Sequence, residues 1–344
     1  MDLSDYDERV DAVTKHSALS TQRLALRNER GVALIVVLWI FIFLFVIALD
    51  FSAAVRDEGM AAHRYAEEAE GYYLAVAGFQ EALYELLKLS AQTGQVTAPP
   101  GSDLFEGNWR QGNLGAGLYE ARFVDEAGKI NLNRATEDLL RRIFINLGLD
   151  QARRNILVDS ILDWRDEDDL HRLNGAESDY YLSFSPPYTA KNGPFDTVEE
   201  LLWVRGVTPE IFYGGEGTIA LKDIFTVDSP SGVNLRTTTA EVCVALLGLP
   251  MERCRAFLAE RAKLSEKTLA DMLKLLAIAN DDIMRRQVIF ANPTVIAIEA
   301  RGRHKGSATG RQVKGVVRIM GGQRGFELIR WIDRDIIRNE KRTE

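Results

Sequence analysis

Histidine and cysteine are scarce in this chain, whose 344 residues include four histidines and two cysteines. The histidines are scattered rather than clustered, so they predict no transition-metal site. They are His16, His63, His171 and His304. No Gly-x-Ser-x-Gly or comparable nucleophile motif accompanies them, and the glycines at 214–217 lack the lysine of a phosphate-binding loop. These absences indicate that the chain is not an enzyme.

Positive charge is also in deficit, because the formal net charge is -8 and the isoelectric point is near 5.3. A nucleic-acid-binding surface is normally basic. The composition therefore argues against nucleic acid as a partner.

Residues 32–49 form an apolar run without one polar side chain, which predicts a membrane-spanning helix. Basic residues precede the run and acidic residues follow it, which predicts a cytoplasmic N-terminus and an exported remainder. The basic residues are Arg23, Arg27 and Arg30, and the acidic ones are Asp50, Asp57 and Glu58. A cleavable secretory signal is the alternative, but Ser52-Ala53-Ala54 is a weak cleavage site.

The run continues into an amphipathic stretch whose apolar residues recur at steps of three and four. They are Tyr72, Val76, Phe79, Leu83 and Leu86. Because residues 32–89 contain no proline, they predict one helix of about 58 residues and about 85 Å, ending within residues 90–102. Its apolar face packs either on the protein's own sheet or on copies of itself. Residues 1–29 are polar and are predicted to be disordered.

Strand-like patterns lie at 118–124 and again near the end of the chain, at 294–303, 312–320 and 326–333. We expect these early and late strands to share one antiparallel sheet. Residues 129–292 are then a helical insertion between them.

An internal repeat marks the insertion. Residues 130–137 (INLNRATE) resemble 233–241 (VNLRTTTAE), and each segment precedes an apolar helix that ends in Leu-Gly-Leu. A third, shorter version is 195–207. Such units look like helix-hairpin-helix elements, which grip DNA phosphates through turn amides or serve only for packing. Because the turns have little basic character, packing is favoured.

Acidic residues concentrate at 163–169 (DWRDEDD) and 174–181 (NGAESDYY). Oxygen ligands at short spacing suit Ca²⁺. The alternative is a solvated acidic turn with Arg165 and Arg172 as ion-pair partners, and spacing alone favours it. A glycosidase-like pair of carboxylates lacks supporting subsites.

The two cysteines, Cys243 and Cys254, would meet an oxidising compartment if the domain is exported. Their spacing leaves two readings open, a disulfide or two buried thiols.

Six segments in this order resemble the K-type minor pseudopilins of type II secretion systems, over residues 30–333. The segments are 30–34 (RGVAL), 130–133 (INLN), 163–168 (DWRDED), 174–177 (NGAE), 191–201 (KNGPFDTVEEL) and 233–237 (VNLRT). The resemblance implies an α+β pseudopilin fold: a long N-terminal transmembrane and amphipathic helix on an antiparallel sheet, with a large helix-hairpin-helix or SAM-like domain inserted between strands.

The resemblance implies six regions. They are a cleaved cytoplasmic leader (1–31), a transmembrane segment (32–49), the periplasmic part of the helix (50–90), the first part of the sheet (103–128), the insertion (129–292), and the last strands with the tail (293–344). The leader is longer than the family's usual one, which puts the start codon in doubt but not the cleavage site.

The implied function is to cap the tip of the pseudopilus and initiate its assembly, anchored in the inner membrane with a periplasmic C-terminal domain. Implied partners are the I- and J-type minor pseudopilins, bound through the 72–87 face and the sheet edge, the major pseudopilin, prepilin peptidase and the inner-membrane platform. The alternatives are a membrane-anchored DNA receptor of competence type and a minor pilin of a type IV pilus.

The resemblance also assigns residues. Prepilin peptidase would cut between Gly31 and Val32. Val36 stands where most pseudopilins have glutamate, and K-type members resemble this chain in lacking it. Known members bind calcium in the helical domain. This carries over to Asp166, Asp168, Glu177 and Asp179, with Asp163 and Asp169 as weaker candidates.

Overall fold

The structure is a computed structural model that describes residues 4–93, 96, 104–105, 107–215, 217–230, 232–263, 269–276, 286–307, 309–320 and 325–338. The helices are α1 (Ser4–Thr93), α2 (Glu137–Asn146), α3 (Gln151–Arg165), α4 (Ser178–Leu182), α5 (Pro209–Tyr213), α6 (Leu221–Ile224), α7 (Ala240–Leu247), α8 (Met251–Lys263) and α9 (Leu269–Leu276). The strands are β1 (Arg110–Leu114), β2 (Gly117–Asp125), β3 (Ile130–Asn131), β4 (Phe225–Thr226), β5 (Val233–Asn234), β6 (Val288–Ile289), β7 (Val295–His304), β8 (Thr309–Ile319) and β9 (Phe326–Arg338).

Helix α1 begins at Ser4, so the predicted disorder of residues 1–29 is wrong from residue 4 onward. Neither proline nor glycine occurs in residues 4–30, so nothing local interrupts the helix. Its end at Thr93 confirms the predicted stop within 90–102. Within the described residues, Gly31–Gln92 is the one helix long and apolar enough to cross a membrane; its most apolar window has a mean hydropathy of 3.4.

Two compact units divide the chain, residues 1–66 and residues 67–344. In the first unit, the apolar side chains of residues 32–49 are exposed along the helix. The second unit contains the rest of α1, the sheet and the insertion.

One five-stranded sheet, in the order β1-β2-β7-β8-β9, joins the early and late strands, and every neighbouring pair is antiparallel. The predicted sheet is therefore confirmed. Its core forms between the alternating apolar side chains of the strands, such as Phe123 and Ile298, and the stripe of α1 that includes Phe79 and Leu86. The helix lies so close that a Cβ on Gly302 would be 2.2 Å from the backbone nitrogen of Ala75.

This packing corrects the expectation that the 72–87 face binds partner pseudopilins. Leu74, Phe79, Leu83 and Leu86 are buried in the second unit itself. The sheet needs an apolar cover for its inner face, and this stripe supplies it.

The insertion lies between β2 and β7, as predicted, and has its own apolar core. Two short parallel ladders, β3 with β4 and β5 with β6, bring distant segments together. Each ladder contains the first strand of one predicted repeat, because β3 begins the first repeat and β5 begins the second.

The first repeat (residues 130–165) and the second repeat (residues 233–261) share the same construction. Each begins with a short strand and continues into a helical hairpin, α2–α3 or α7–α8. Arg165 donates to the carbonyl oxygens of Leu132, at 2.5 Å, and Ala135, at 2.6 Å. Arg165 uses Nη1 and Nη2 for these two bonds, whereas Arg261 donates to Leu235 and Thr238 from Nη1 alone, both at 2.9 Å. An arginine guanidinium thus ties each hairpin to its own first turn.

The third, shorter version differs from the other two. Residues Val198–Trp203 form a 3₁₀ helix rather than an α-helix. Thr197 and Glu200 cap its start reciprocally, as the sequence pattern predicts.

Two adjacent carboxylates at the end of β2 attach the insertion to the sheet. Asp125 accepts hydrogen bonds from Asn234 Nδ2, at 2.9 Å, and Thr237 Oγ1, at 2.6 Å, in the second repeat. Glu126 accepts one from Thr226 Oγ1 in β4, at 2.5 Å. The insertion is therefore held by buried polar contacts as well as by chain connectivity.

Glu126 also forms a buried ion pair with Lys314 of β8, with 2.9 Å between the Oε1 and Nζ atoms. Burial alone would raise the pKa of Glu126, but the positive charges of Lys129 and Lys314 lower it to about 2. The carboxylate is therefore ionised at neutral pH, and its charge is compensated by the sheet.

Candidate metal centre

The sequence motifs of the first repeat converge around the C-terminus of α3. The side-chain nitrogen of Asn133 donates to the carbonyl oxygen of Phe195, at 2.9 Å. The side-chain oxygen of Asn133 accepts from the backbone nitrogen of Phe195, at 2.8 Å. Arg165, the last residue of α3, reaches back to the first turn. Segments separated by about 60 residues in sequence are thereby fixed around one helix end.

Three carboxylates meet just beyond this helix end. Asp166 is the C-cap of α3, Asp168 follows it, and Glu177 is the N-cap of α4. One oxygen from each lies within 4.8 Å of the others. This spacing allows one cation to contact all three, and carboxylate oxygens are the ligands that Ca²⁺ prefers.

Several oxygens of this group are buried and have no hydrogen-bond donor among the described residues. They are both carboxylate oxygens of Glu177 and Oδ1 of Asp166. A buried carboxylate without a partner is costly. Burial, followed by the charges of Asp163 and Asp166, raises the pKa of Glu177 to about 7. The group therefore has unpaired carboxylate oxygens, whose negative charge a divalent cation would offset.

Arg172 offsets the negative charge of Asp163 and Asp166, but not that of the whole group. Its Nη1 lies 2.7 Å from Oδ1 of the fully buried Asp163 and 2.5 Å from Oδ2 of Asp166. Burial still raises the pKa of Asp163, although the hydrogen bonds from Arg172 lower it. One guanidinium thus serves two carboxylates, and Glu177 receives no donor from it.

Gly175 makes the close approach to Asp163 possible. A Cβ at this position would lie 1.8 Å from Oδ2 of Asp163. The Asn-Gly turn signal of the sequence indicated a turn here, but not that the glycine is required for packing against a buried carboxylate.

The structure does not bring every predicted ligand into the group. Oδ1 of Asp179 lies 2.8 Å from Nε2 of His171 instead. Asp169 accepts a hydrogen bond from Asn192 Nδ2, at 2.9 Å. Asp163 is not one of the three carboxylates whose oxygens converge, and Arg172 donates to it. The set that remains is Asp166, Asp168 and Glu177.

The second repeat has a covalent link at its hairpin instead of a carboxylate group. A disulfide joins Cys243 of α7 to Cys254 of α8, with 5.9 Å between the Cα atoms. This Cα separation is usual for a disulfide.

Several known proteins are similar to this chain. Residues 121–214, which contain the three carboxylates, match the family model for type II secretion system protein K. The chain is 25% identical over 202 residues to a putative type II secretion system protein K of Escherichia coli K12, covering 54% of this chain and 60% of that protein. It is 27% identical over 194 residues to type II secretion system protein K of Pseudomonas aeruginosa, covering 51% and 57%.

The chain is similar to type II secretion system protein K in the family model and in both curated relatives. The matched stretches span about 60% of the length of these curated relatives. A chain from the crystal structure of the GspK-GspI-GspJ complex of enterotoxigenic E. coli shares the fold, with a TM-score of 0.64 at 17% identity. The similarity covers 81% of this chain and 99% of that one. The α+β pseudopilin fold expected from the sequence is thereby confirmed.

Proposed function

We propose that this chain is a minor pseudopilin that caps the tip of the type II secretion pseudopilus, assembling there with I- and J-type minor pseudopilins and initiating filament assembly. The observation that supports this most strongly is the fold shared with a chain of the GspK-GspI-GspJ complex over 81% of the residues. Further contacts, with the major pseudopilin and the inner-membrane platform, are part of the same proposal.

The exposed side of α1 is the contact face that we propose for these partners. The buried stripe is occupied by the sheet, whereas Tyr73 and Tyr84 are 70% and 67% exposed. They are eleven residues apart, close to three helical turns, so they share one face. Tyrosine offers a large apolar body with a polar end, which makes it frequent at interface centres.

Co-purification of the full chain with I- and J-type pseudopilins in detergent tests this assembly. We expect a complex that Tyr73→Ser together with Tyr84→Ser weakens about tenfold or more, a loss of at least about 1.4 kcal/mol. Tyr213→Ser, which changes an exposed tyrosine in the insertion, is the matched control. A full chain that never co-purifies with either partner would refute the proposal.

Processing and topology belong to this proposal too. Prepilin peptidase would cleave between Gly31 and Val32 and leave N-methylated Val32 at the mature terminus, with a single span and a periplasmic C-terminal domain. Inside a filament, a buried glutamate at position 36 would pair with the N-terminal amine of a neighbouring subunit. A subunit at the tip has no subunit above it, so valine can take the place of glutamate at position 36. Mass spectrometry of the protein from native membranes decides this, and a terminus at Ser52 or an intact leader would contradict it.

Calcium is the cation that we propose for Asp166, Asp168 and Glu177. Bound there, Ca²⁺ would neutralise three carboxylates and join the end of α3 to the start of α4. Titration calorimetry of the full chain with CaCl₂ tests this. Glu177→Gln should weaken binding about tenfold or more, since it removes one charged ligand, whereas Asp179→Asn should leave it unchanged. Equal affinity in both variants would exclude this ligand set.

The DNA-receptor alternative gains no support from the hairpin turns. Asp150 is the N-cap of α3, and its carboxylate accepts from the backbone nitrogen of Arg153, at 3.0 Å, where a phosphate would bind. We therefore expect no salt-sensitive gel shift with duplex DNA. No described group of residues supports catalysis, and we propose a structural role without enzymatic activity.

A further inference from the structure

The loop between the predicted calcium ligands presents two leucines to solvent. We call residues 167–176 the carboxylate loop, because it connects Asp166 to Glu177 and contains Asp168. Leu173 is 96% exposed and Leu170 is 76% exposed. They are the two most exposed large apolar side chains in the part of the chain that the structure describes. An exposed leucine forgoes about 1.5–3 kcal/mol of burial free energy, which a partner that covered these two side chains would recover.

This exposure does not come from a loose loop, because the residues around the leucines are held inward. Arg172 binds Asp163 and Asp166, and Asn174 donates to Asp159 through its side chain, at 2.9 Å. Further contacts fix the rest of the loop: Asp169 to Asn192, His171 to Asp179, Asp168 to the backbone nitrogen of Leu170, and the carbonyl oxygen of Gly175 to Arg205. The two leucines therefore stand on a preorganised support, which lowers the entropic cost of binding.

The charge around the leucines limits what can bind them. Glu167, Asp168 and Asp169 are exposed beside Leu170, and the exposed Asp179 contacts His171 of the loop. The positive charge of Arg172 is directed to Asp163 and Asp166. An anionic lipid surface or a nucleic acid would be repelled by this acidic rim. A protein surface with lysine or arginine around an apolar hollow is complementary in both respects.

We propose that Leu170 and Leu173 form the docking tip for a protein partner whose apolar hollow is flanked by lysine or arginine side chains. A cation held by Asp166, Asp168 and Glu177 fixes both roots of the loop and so keeps the tip in its binding conformation. This inference rests on the proposed function, and it adds a partner surface that is separate from the exposed face of α1.

Site-specific photo-crosslinking in cells that carry the whole secretion system tests the docking tip. A photoreactive amino acid replaces Leu173 in the full chain, and in matched control chains it replaces Ile145, which is 54% exposed on α2, or Tyr84 on α1. We expect a protein adduct from position 173 and none from position 145. Mass spectrometry should locate the crosslinked partner residue in an apolar surface beside lysine or arginine.

Charge reversal then tests the chemistry of the contact. Glu167→Lys should lower the yield of the position 173 adduct about fivefold, since it places a positive charge against the partner's basic rim. Leu170→Ser should lower it similarly. Calcium titration of Leu170→Ser/Leu173→Ser should match the unaltered chain, which shows that the loop is still folded and that only the tip has changed.

The outcomes separate this inference from the proposed function. Adducts from position 84 with I- or J-type pseudopilins, but none from position 173, would overturn the docking tip and leave the proposed function intact. Adducts from 173 that map to lipid or to an acidic protein surface, or that are insensitive to Glu167→Lys, would also overturn it. The absence of adducts at both positions would count against both proposals.

Discussion

The first and second repeats have the same frame but different means of holding their ends. In both, a short strand precedes a helical hairpin, and an arginine near the end of the second helix donates to two carbonyl oxygens of the first turn. Both hairpins turn at Leu-Gly-Leu. Backbone hydrogen bonding at the hairpin base is therefore the shared requirement of the unit.

The difference lies in what stabilises the hairpin beyond this frame. Aligned on their arginines, Cys254 corresponds to Val158, and aligned on their first strands, Cys243 corresponds to Leu140. Leu140 and Val158 are fully buried in the apolar core of the insertion. The first repeat thus has an apolar hairpin and a carboxylate group beyond its end, whereas the second has a disulfide within the hairpin. We propose that the first unit serves for cation binding, whereas the disulfide stabilises the second.

The largest effect that we expect comes from filling the space at Gly175, which has no counterpart in the second repeat. Gly175→Ala should destabilise the full chain by about 4 kcal/mol, because its Cβ would displace Asp163 from Arg172 and leave a buried carboxylate without its ion-pair partner. Urea unfolding in detergent measures this. Gly193→Ala is the matched control, since the nearest atom to its Cβ is 3.9 Å away. Equal stability of the two variants would show that the Asp163–Arg172 pair does not depend on glycine.

The next effect is a dependence on pH that only the first repeat should show. The pKa of Glu177 is about 7 in the folded chain, against an ordinary value of 4.5. The folded chain therefore holds the proton more tightly, so stability in calcium-free buffer falls as pH rises from about 4.5 to about 7, by about 3 kcal/mol in total. Unfolding at pH 4.5 and at pH 8 with a chelator measures this.

Glu177→Gln should remove most of this fall, so the variant should be more stable than the unaltered chain at pH 8 without calcium. With calcium the order should reverse, because the variant has lost a ligand. If both proteins lose the same stability between pH 4.5 and pH 8 in the chelator, Glu177 is not the titrating group.

The sequence predicted the sheet and the insertion because both depend on local signals, alternation in strands such as 118–124 and the repeated Asn-Leu segments. It could not assign a packing partner to the apolar stripe of α1, since the sequence of an apolar face is the same whether it packs on its own sheet or on a neighbouring subunit. It also proposed four calcium ligands from spacing and resemblance. Which carboxylates are already paired, as Asp179 is with His171, depends on tertiary contacts that spacing does not encode. Nothing in the sequence marked Asp125 and Glu126 as the attachment to the sheet.

Removing the covalent link should weaken the second repeat by a somewhat smaller amount. Cys243→Ala/Cys254→Ala should cost about 2.8 kcal/mol, as the chain-entropy estimate gives for a separation of 11 residues. Cys243→Leu/Cys254→Val, which copies the first repeat, should cost less because it restores buried apolar area. Urea unfolding, with a reductant added to the unaltered chain as a control, compares the three. A reductant effect in the chain without cysteines would show that the loss has another source.

The smallest effect concerns the shared frame, where both repeats should respond alike. Arg165→Lys and Arg261→Lys should each cost about 1.5 kcal/mol, because the shorter lysine side chain with its compact ammonium group cannot reproduce the guanidinium's hydrogen bonds to two carbonyl oxygens. Calcium titration should then separate them. Arg165 directly precedes Asp166, so its variant should also weaken calcium binding, whereas the Arg261 variant should not. If both variants weakened calcium binding equally, the first repeat would be coupled to the second, and the division between a binding unit and a stabilising unit would fail.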